Sequence, residues 1–504
     1  MRGFSTLEMI IAIAIMASTL SAVVLVSFGN QALLGHASAN AGAVERAQIL
    51  LESAQTAARQ DFRLVHNIAT TSADMYRSSL SVSGVEADPY TTKRLTAITS
   101  WYDETHTTQS TTLSELVTDF EDPSTLDTCD SSLTGNWTAP SVRNFSLSPG
   151  NMLPTNSRIA AVNTIGAVDA YHGKLYVADA TRSAKTNDSF FIFDLSNPIS
   201  PTYLGSIDTA ASTTDGVNAI VVAGDYAYVA SAHGANFKTC KPAGNCSQLQ
   251  ILNIADPSSP ALVRSFLLST SSAPFVIGSG GQAIGNTLFY KDGYIYMGLA
   301  KTSSGPEFDI VDVRDPVHPV WVGGYAIGAT VNQIYVRSGY AYLATDDQSR
   351  KLIVLDVRDP ANVSLVSNLD PHGTSNQEYG YSMYMVGDQM FLGMSSTSVS
   401  GSPEFASFTM TDPAAPMAHA ALEVGASVLG IFVRDARSFL LTSIVGLAAQ
   451  FQMIDTSDPT EFSTVAPAIT LPGTGASMDC EENYFYIATN NGSQGNISVI
   501  GPGI

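Results

Sequence analysis

Apolar positions follow three different patterns along this chain. From Met9 to Phe28 they run almost without interruption, enough for a bilayer-spanning helix of about twenty residues. The few polar members, Ser18, Thr19, Ser21 and Ser27, can return their hydroxyl bonds to the helix backbone. Further on the pattern thins to one face. Ala43, Ala47, Leu50, Leu51, Ala54 and Ala58 recur at three- and four-residue steps, with Glu45, Arg46, Glu52, Arg59 and Asp61 between them, which is the periodicity of an amphipathic helix. Gly29, Gly35 and Gly42 weaken it locally. The apolar pattern predicts a helix over 4–64, with a membrane-spanning part at about 4–28. Residues 65–154 are Ser/Thr-rich and aperiodic, with Pro123, Pro140, Pro149 and Pro154; they read as a mixed connector, partly helical around Leu113 to Phe120.

From 155 to 504 the chain repeats itself. One recurring piece is a turn followed by an aromatic in an apolar strand: Gly173-Lys174-Leu175-Tyr176, Gly224-Asp225-Tyr226, Asp292-Gly293-Tyr294 and Ser338-Gly339-Tyr340, with weaker copies at Phe391, Phe439 and Tyr486. Asp-Gly and Gly-Asp between alternating apolar residues are hairpin-turn chemistry. The second piece is a strand ending in Asp-x-x-Asp/Asn-Pro, at Asp194–Pro198, Asp312–Pro316, Asp356–Pro360 and Asp455–Pro459, with Asp256-Pro257 and Asp412-Pro413 keeping its second half. A spacing of roughly 45 to 60 residues with four strand signals per unit is that of a propeller blade. The expected fold is mainly β: a seven-bladed β-propeller preceded by the long helix and the connector. The last unit stops after its third strand, Ile497 to Ile500, and a spare apolar strand, Arg158 to Ile165, precedes the first hairpin. Pairing those two would finish the seventh blade and remove the exposed edges.

Composition places the chain outside the cytoplasm. A net charge of −21 with only 14% charged residues argues against nucleic-acid binding, which needs basic patches. The four cysteines are sparse but even in number, and in an oxidising compartment they could make two bridges. Cys240 and Cys246 flank a turn-prone loop, which leaves Cys129 and Cys480 to pair across the fold. No hydrolase elbow, zinc helix, nucleotide loop or dinucleotide fingerprint is present, so an enzyme is not expected. The repeated Asp194, Asp312, Asp356 and Asp455 read as turn formers that accept backbone amides. No cofactor is expected; Asp346-Asp347-Gln348-Ser349 is the one stretch that suggests calcium.

The start of the chain, Gly3-Phe4-Ser5-Thr6-Leu7-Glu8 and then the apolar run, resembles the leader and helix start of type IV prepilins. The resemblance implies a leader at 1–3, cleavage between Gly3 and Phe4 by a prepilin peptidase, methylation of Phe4, and a role for Glu8 in filament assembly. There Glu8 would pair with the Phe4 ammonium of a neighbouring subunit, since a carboxylate at the edge of a membrane helix needs a partner. Arg2 agrees with a cytoplasmic amino terminus. The competing signal peptide, ending at Ala37-Ser38-Ala39, would start the mature chain at Asn40, but that site lies well past the apolar run. The repeats resemble LVIVD-repeat β-propellers, most closely at Asp309–Val313 and Leu352–Val357. Together the resemblances imply a minor or tip pilin-like subunit displaying a propeller as an adhesion or binding module. A pseudopilin of a type II secretion or DNA-uptake machine is the alternative, and a membrane-tethered propeller enzyme a more distant one. The implied partners are other pilin subunits, the peptidase and methylase, the inner membrane before assembly, and an extracellular protein or glycan. The implied location is the bacterial cytoplasmic membrane, then a pilus at the cell surface.

Overall fold

The computed structural model describes residues 38–58, 65–118 and 128–503, except 66, 74, 86–87, 103–105, 130–132, 157, 182–186, 210–215, 232–246, 269–283, 303–304, 372–377, 398–401, 435, 444–449, 459, 466–467 and 493. The expected leader, Gly3, Phe4, Glu8 and the span 4–28 lie outside the described residues, as do Cys240 and Cys246. Among the described residues no helix is long and apolar enough to cross a membrane. The chain divides into two compact units, residues 1–120 and 121–504.

In the first unit, residues 38–58 are helical. Ala43, Ala47, Leu51, Ala54 and Ala58 are buried along one stripe. The small side chains let the helix lie close on a four-stranded antiparallel meander made of Ile68–Ala73, Tyr76–Val85, Asp88–Tyr102 and Thr108–Thr118. Alternation puts Leu95, Ala97, Thr99 and Trp101 on the buried face, and Leu80 and Val117 complete the core. Tyr76 ties the elements together, donating its hydroxyl to the Ala39 carbonyl at 3.0 Å while Arg46 lies over its ring. The expectation of a connector over 65–154 is therefore corrected. Its first half is this sheet, and Leu113–Thr118 is strand, not helix, because the Thr-rich run before it favours an extended chain.

Among its described residues the second unit holds six four-stranded antiparallel sheets and one of five strands, following one another along the chain. In the first six the four strands are consecutive, as in Val331–Arg337, Tyr340–Thr345, Leu352–Asp356 and Ser364–Leu369. The turn joining the first two strands places His172-Gly173, Asp292-Gly293 and Ser338-Gly339 at positive φ, the mirror-image turn that matches strand twist. First strands pack beside the first strands of neighbouring sheets, and the last returns to the first. The domain is propeller-like.

The last sheet is built from both ends of the unit. Its order is Thr128–Cys129, Thr474–Glu482, Tyr484–Asn490, Gly495–Gly503, Asn136–Ser146. Thr128 and Cys129 pair in parallel with Glu481 and Glu482 on one edge, and Asn136–Ser146 pairs antiparallel with Gly495–Gly503 on the other. The closing strand is thus Asn136–Ser146 and not Arg158–Ile165. The apolar signal at 158–165 comes from burial without a ladder, since Ile159 and Val162 join Leu147, Leu153 and Ile497 in a core cluster. Pro140 fits an outermost strand, which has a free side where no amide is needed.

Candidate binding site and the latches around it

First strands of different sheets share no backbone ladder, so side chains must hold the ring together. Asn218 donates to the Gly285 carbonyl at 3.0 Å, Asn286 to Val331 at 2.8 Å and Asn332 to Gly380 at 2.7 Å. Each stands second in its strand, so a repeated position performs a repeated task. Three residues further along, the reach continues. Asp169 accepts the Val222 amide at 3.2 Å, Tyr335 donates to the Met385 carbonyl at 3.1 Å, and Asp479 accepts the Ala170 amide at 2.6 Å. The junction of last and first sheets is the most heavily tied. There Ser477 accepts Val168, Glu481 accepts Gly173, and Asn490 both accepts from and donates to Ile165.

These strands enclose a cavity of about 340 Å³, lined by residues from all seven first strands. One side of its wall is aromatic. Phe289, Tyr335, Tyr384 and Phe432 follow one another with ring centroids 5.2, 6.4 and 5.1 Å apart. The other side carries Asp169 and Asp479. Arg434 lies over the Tyr384 and Phe432 rings and donates to the Tyr384 hydroxyl. The described residues that line the cavity offer hydrogen bonding, two carboxylates and aromatic contact.

Three of the four repeated aspartates accept a backbone amide at a turn, while Asp194 accepts the Ser196 hydroxyl. Asp312 and Asp356 each accept the amide two residues on at 3.0 Å, and Asp455 does so at 2.9 Å. Arg314 and Arg358 bond the same carboxylates and lie over Tyr294 and Tyr340. Those side-chain bonds hold the Asp312 and Asp356 carboxyls below the usual range. Asp346 accepts the Thr330 amide, and Asp347 accepts Ser349 while pairing with Arg350. Burial works against the Asp347 charge, but these bonds hold its carboxyl below the usual range. Among the described residues no group of three or more His, Cys, Asp or Glu side chains is placed to hold a metal ion.

A disulfide joins Cys129 to Cys480, with Cα atoms 5.3 Å apart. Nearby, Asn483 exchanges hydrogen bonds with the Thr134 backbone at 3.2 and 2.9 Å. Trp137, 2% exposed, packs edge-on against Phe439 and Phe485. The incoming segment is therefore fixed by a covalent bond, a strand pairing and an aromatic anchor.

A second repeated device was not evident in the sequence. The residue before the third strand is buried and caps the loop that follows the fourth. Ser189 accepts the Thr209 amide, Gln248 that of Leu268 and Gln450 that of Leu471. Glu307 accepts Ile327 and Gly328 at 2.9 Å each, and Glu404 accepts Val424 and Gly425 at 3.0 and 3.1 Å. The only sequence signal is a polar residue, twenty or so positions ahead of its partner, interrupting an apolar run; the side chains differ too much for the eye to align them.

LVIVD repeats are found at residues 170–209, 216–234, 243–267 and 328–370. The last match includes the strand Leu352–Asp356, whereas Phe308–Asp312, in the same place of its own sheet, falls outside the matched residues. A search of curated proteins returned no match. Across the matched residues the chain is similar to the LVIVD repeat.

Proposed function

We propose that this chain is a minor or tip type IV pilin-like subunit that displays a seven-bladed β-propeller as a cell-surface binding module. The observation that carries the reading is the order Gly3-Phe4 and Glu8 ahead of a long apolar run broken only by Ser and Thr, followed by a helix and then a propeller-like domain. Glu8 at the mouth of that run is costly unless an ammonium meets it, and cleavage before Phe4 would supply one. Support comes from the first unit, where residues 38–58 continue the helical pattern and bury their alanine stripe on their own sheet. Such a unit needs nothing from the propeller to form its core. The propeller counts six four-stranded sheets and the five-stranded one as blades, and closure of its last blade suits a display domain outside the cell. The cavity and the loops at its rim are the recognition surface, and no turnover chemistry is assigned to it.

Mass spectrometry of the native amino terminus tests this first. A mature chain beginning at methylated Phe4 is expected; a start at Asn40 would mean ordinary signal-peptide cleavage and would end the pilin reading. Glu8→Val keeps the span apolar, so membrane insertion should persist while recovery in sheared filaments falls. Equal recovery of mutant and wild type would refute the role of Glu8.

A further inference from the structure

The sheet formed by residues 331–369 departs from its neighbours at the capping position. Where the others place Ser, Gln or Glu before the third strand, this one has Lys351, whose side chain is fully buried. Its ammonium contacts Asp370 and lies 3.6 Å from Glu378, which is also fully buried; the Asp370 side chain is 12% exposed. Lys351 donates as well to the Gln348 carbonyl at 3.2 Å. Leu352 faces Leu369 across the ladder, so Lys351 and Asp370 form the next facing pair, held at contact by the strands themselves. Burying an ammonium between two carboxylates carries a desolvation cost that their attraction only partly returns. A neutral amide would remove two of the three charges from the interior.

We propose that Lys351 and Asp370 are joined by an intramolecular amide bond, formed within the folded chain with Glu378 as the proton carrier. One proton passes from the Lys351 ammonium to the Asp370 carboxylate, and the Nζ, now a free amine, attacks the Cγ of the resulting carboxylic acid. A C–N bond forms, a C–O bond breaks, and the departing oxygen leaves as water. Glu378 takes a proton from the attacking nitrogen and delivers one to the leaving oxygen, so it ends unchanged. The amine and the carboxylic acid contain every atom of the amide and the water, nothing is oxidised or reduced, and no further reactant enters. Holding the two groups in contact replaces a bimolecular encounter by an intramolecular one, and burial limits access of water for the reverse hydrolysis. The product staples the third and fourth strands of one blade, a fastening inside the sheet that is independent of the Cys129–Cys480 bridge and of the filament reading.

The test is the intact mass of the full-length protein after reduction. Wild type should be lighter than the Glu378→Gln variant by one water, about 18 Da, beyond the substitution itself. Trypsin should fail to cut after Lys351, and that residue should appear in a branched peptide with Asp370. Lys351→Arg should restore the missing water while circular dichroism confirms that both variants fold. A full mass for wild type, or a water lost without the branched peptide, would overturn the bond. A branched peptide persisting in Glu378→Gln would overturn the role given to Glu378.

Discussion

Asp309 makes the stability of one blade depend on pH in the direction opposite to most carboxylates. It stands second in Phe308–Asp312, is 1% exposed, and accepts the Trp321 indole N–H at 2.9 Å. Burial pushes its carboxyl up to about 8; the indole bond opposes the rise and the charge of Glu307 adds to it. In the unfolded chain an aspartate titrates near 4. Between about pH 4 and about pH 8 the folded protein therefore holds one proton more than the unfolded. Its contribution is full below the unfolded value and is lost as the pH rises, by about 1.4 kcal/mol per unit and on the order of 5 kcal/mol in all. Above the folded value the loss stops growing. Asp309→Asn keeps an acceptor for Trp321 and cannot titrate. Denaturant unfolding of both proteins at about pH 5 and about pH 9 should show the variant gaining several kcal/mol on wild type at the higher pH. Trp321 emission should titrate near the same midpoint in wild type only. Parallel pH dependence of the two proteins would refute the reasoning, because every other group is common to both.

Two further outcomes concern the fastenings. Replacing Cys129 and Cys480 by serine should lower stability by ~2–4 kcal/mol, seen as an earlier thermal transition; an unchanged transition would show the bridge to be idle. Glu404→Ala leaves the Val424 and Gly425 amides without their carboxylate and should cost about 1–3 kcal/mol. Glu404→Gln keeps an acceptor and should cost less, and amide exchange at Val424 and Gly425 separates the two variants.

What the sequence disclosed depended on whether local chemistry and burial pointed the same way. The clearest hairpins of the second unit were legible because a Gly turn, an aromatic and an apolar strand coincide in them, as at Ser338-Gly339-Tyr340, whereas the turns before Phe439 and Tyr486 carry no glycine. The turn-forming aspartates were legible for the same reason. Asn136–Ser146 was not, since it is short of apolar residues, contains Pro140 and finds its partner in Gly495–Gly503, far along the chain. Arg158–Ile165 misled in the opposite sense, because Ile159 and Val162 are buried without joining a ladder. The first sheet was hidden by its Ser and Thr content. Only alternate positions such as Leu95, Ala97 and Trp101 face its core, and buried Thr99 and Ser78, which bond each other at 3.0 Å, break the apolar alternation. Of the candidate site, the Asn latches and the buried caps escaped notice because each acts across a gap between strands that only the assembled ring defines.

The embrace of the last sheet by Thr128–Cys129 and Asn136–Ser146 fixes an order of events in time. Six sheets can form one after another as the chain emerges, since their strands are consecutive and the contacts are local, which favours speed. The seam is different: Cys129 and Cys480 are separated by 351 positions, and the early strand has no ladder partner until residues 495–503 arrive. During that interval Trp137 and Phe145 lack the neighbours that cover them, and Asn136–Ser146 is an open edge that another chain could join. Ring closure should therefore be the last and slowest step of folding, and the disulfide then tethers the incoming segment to the sheet it completes.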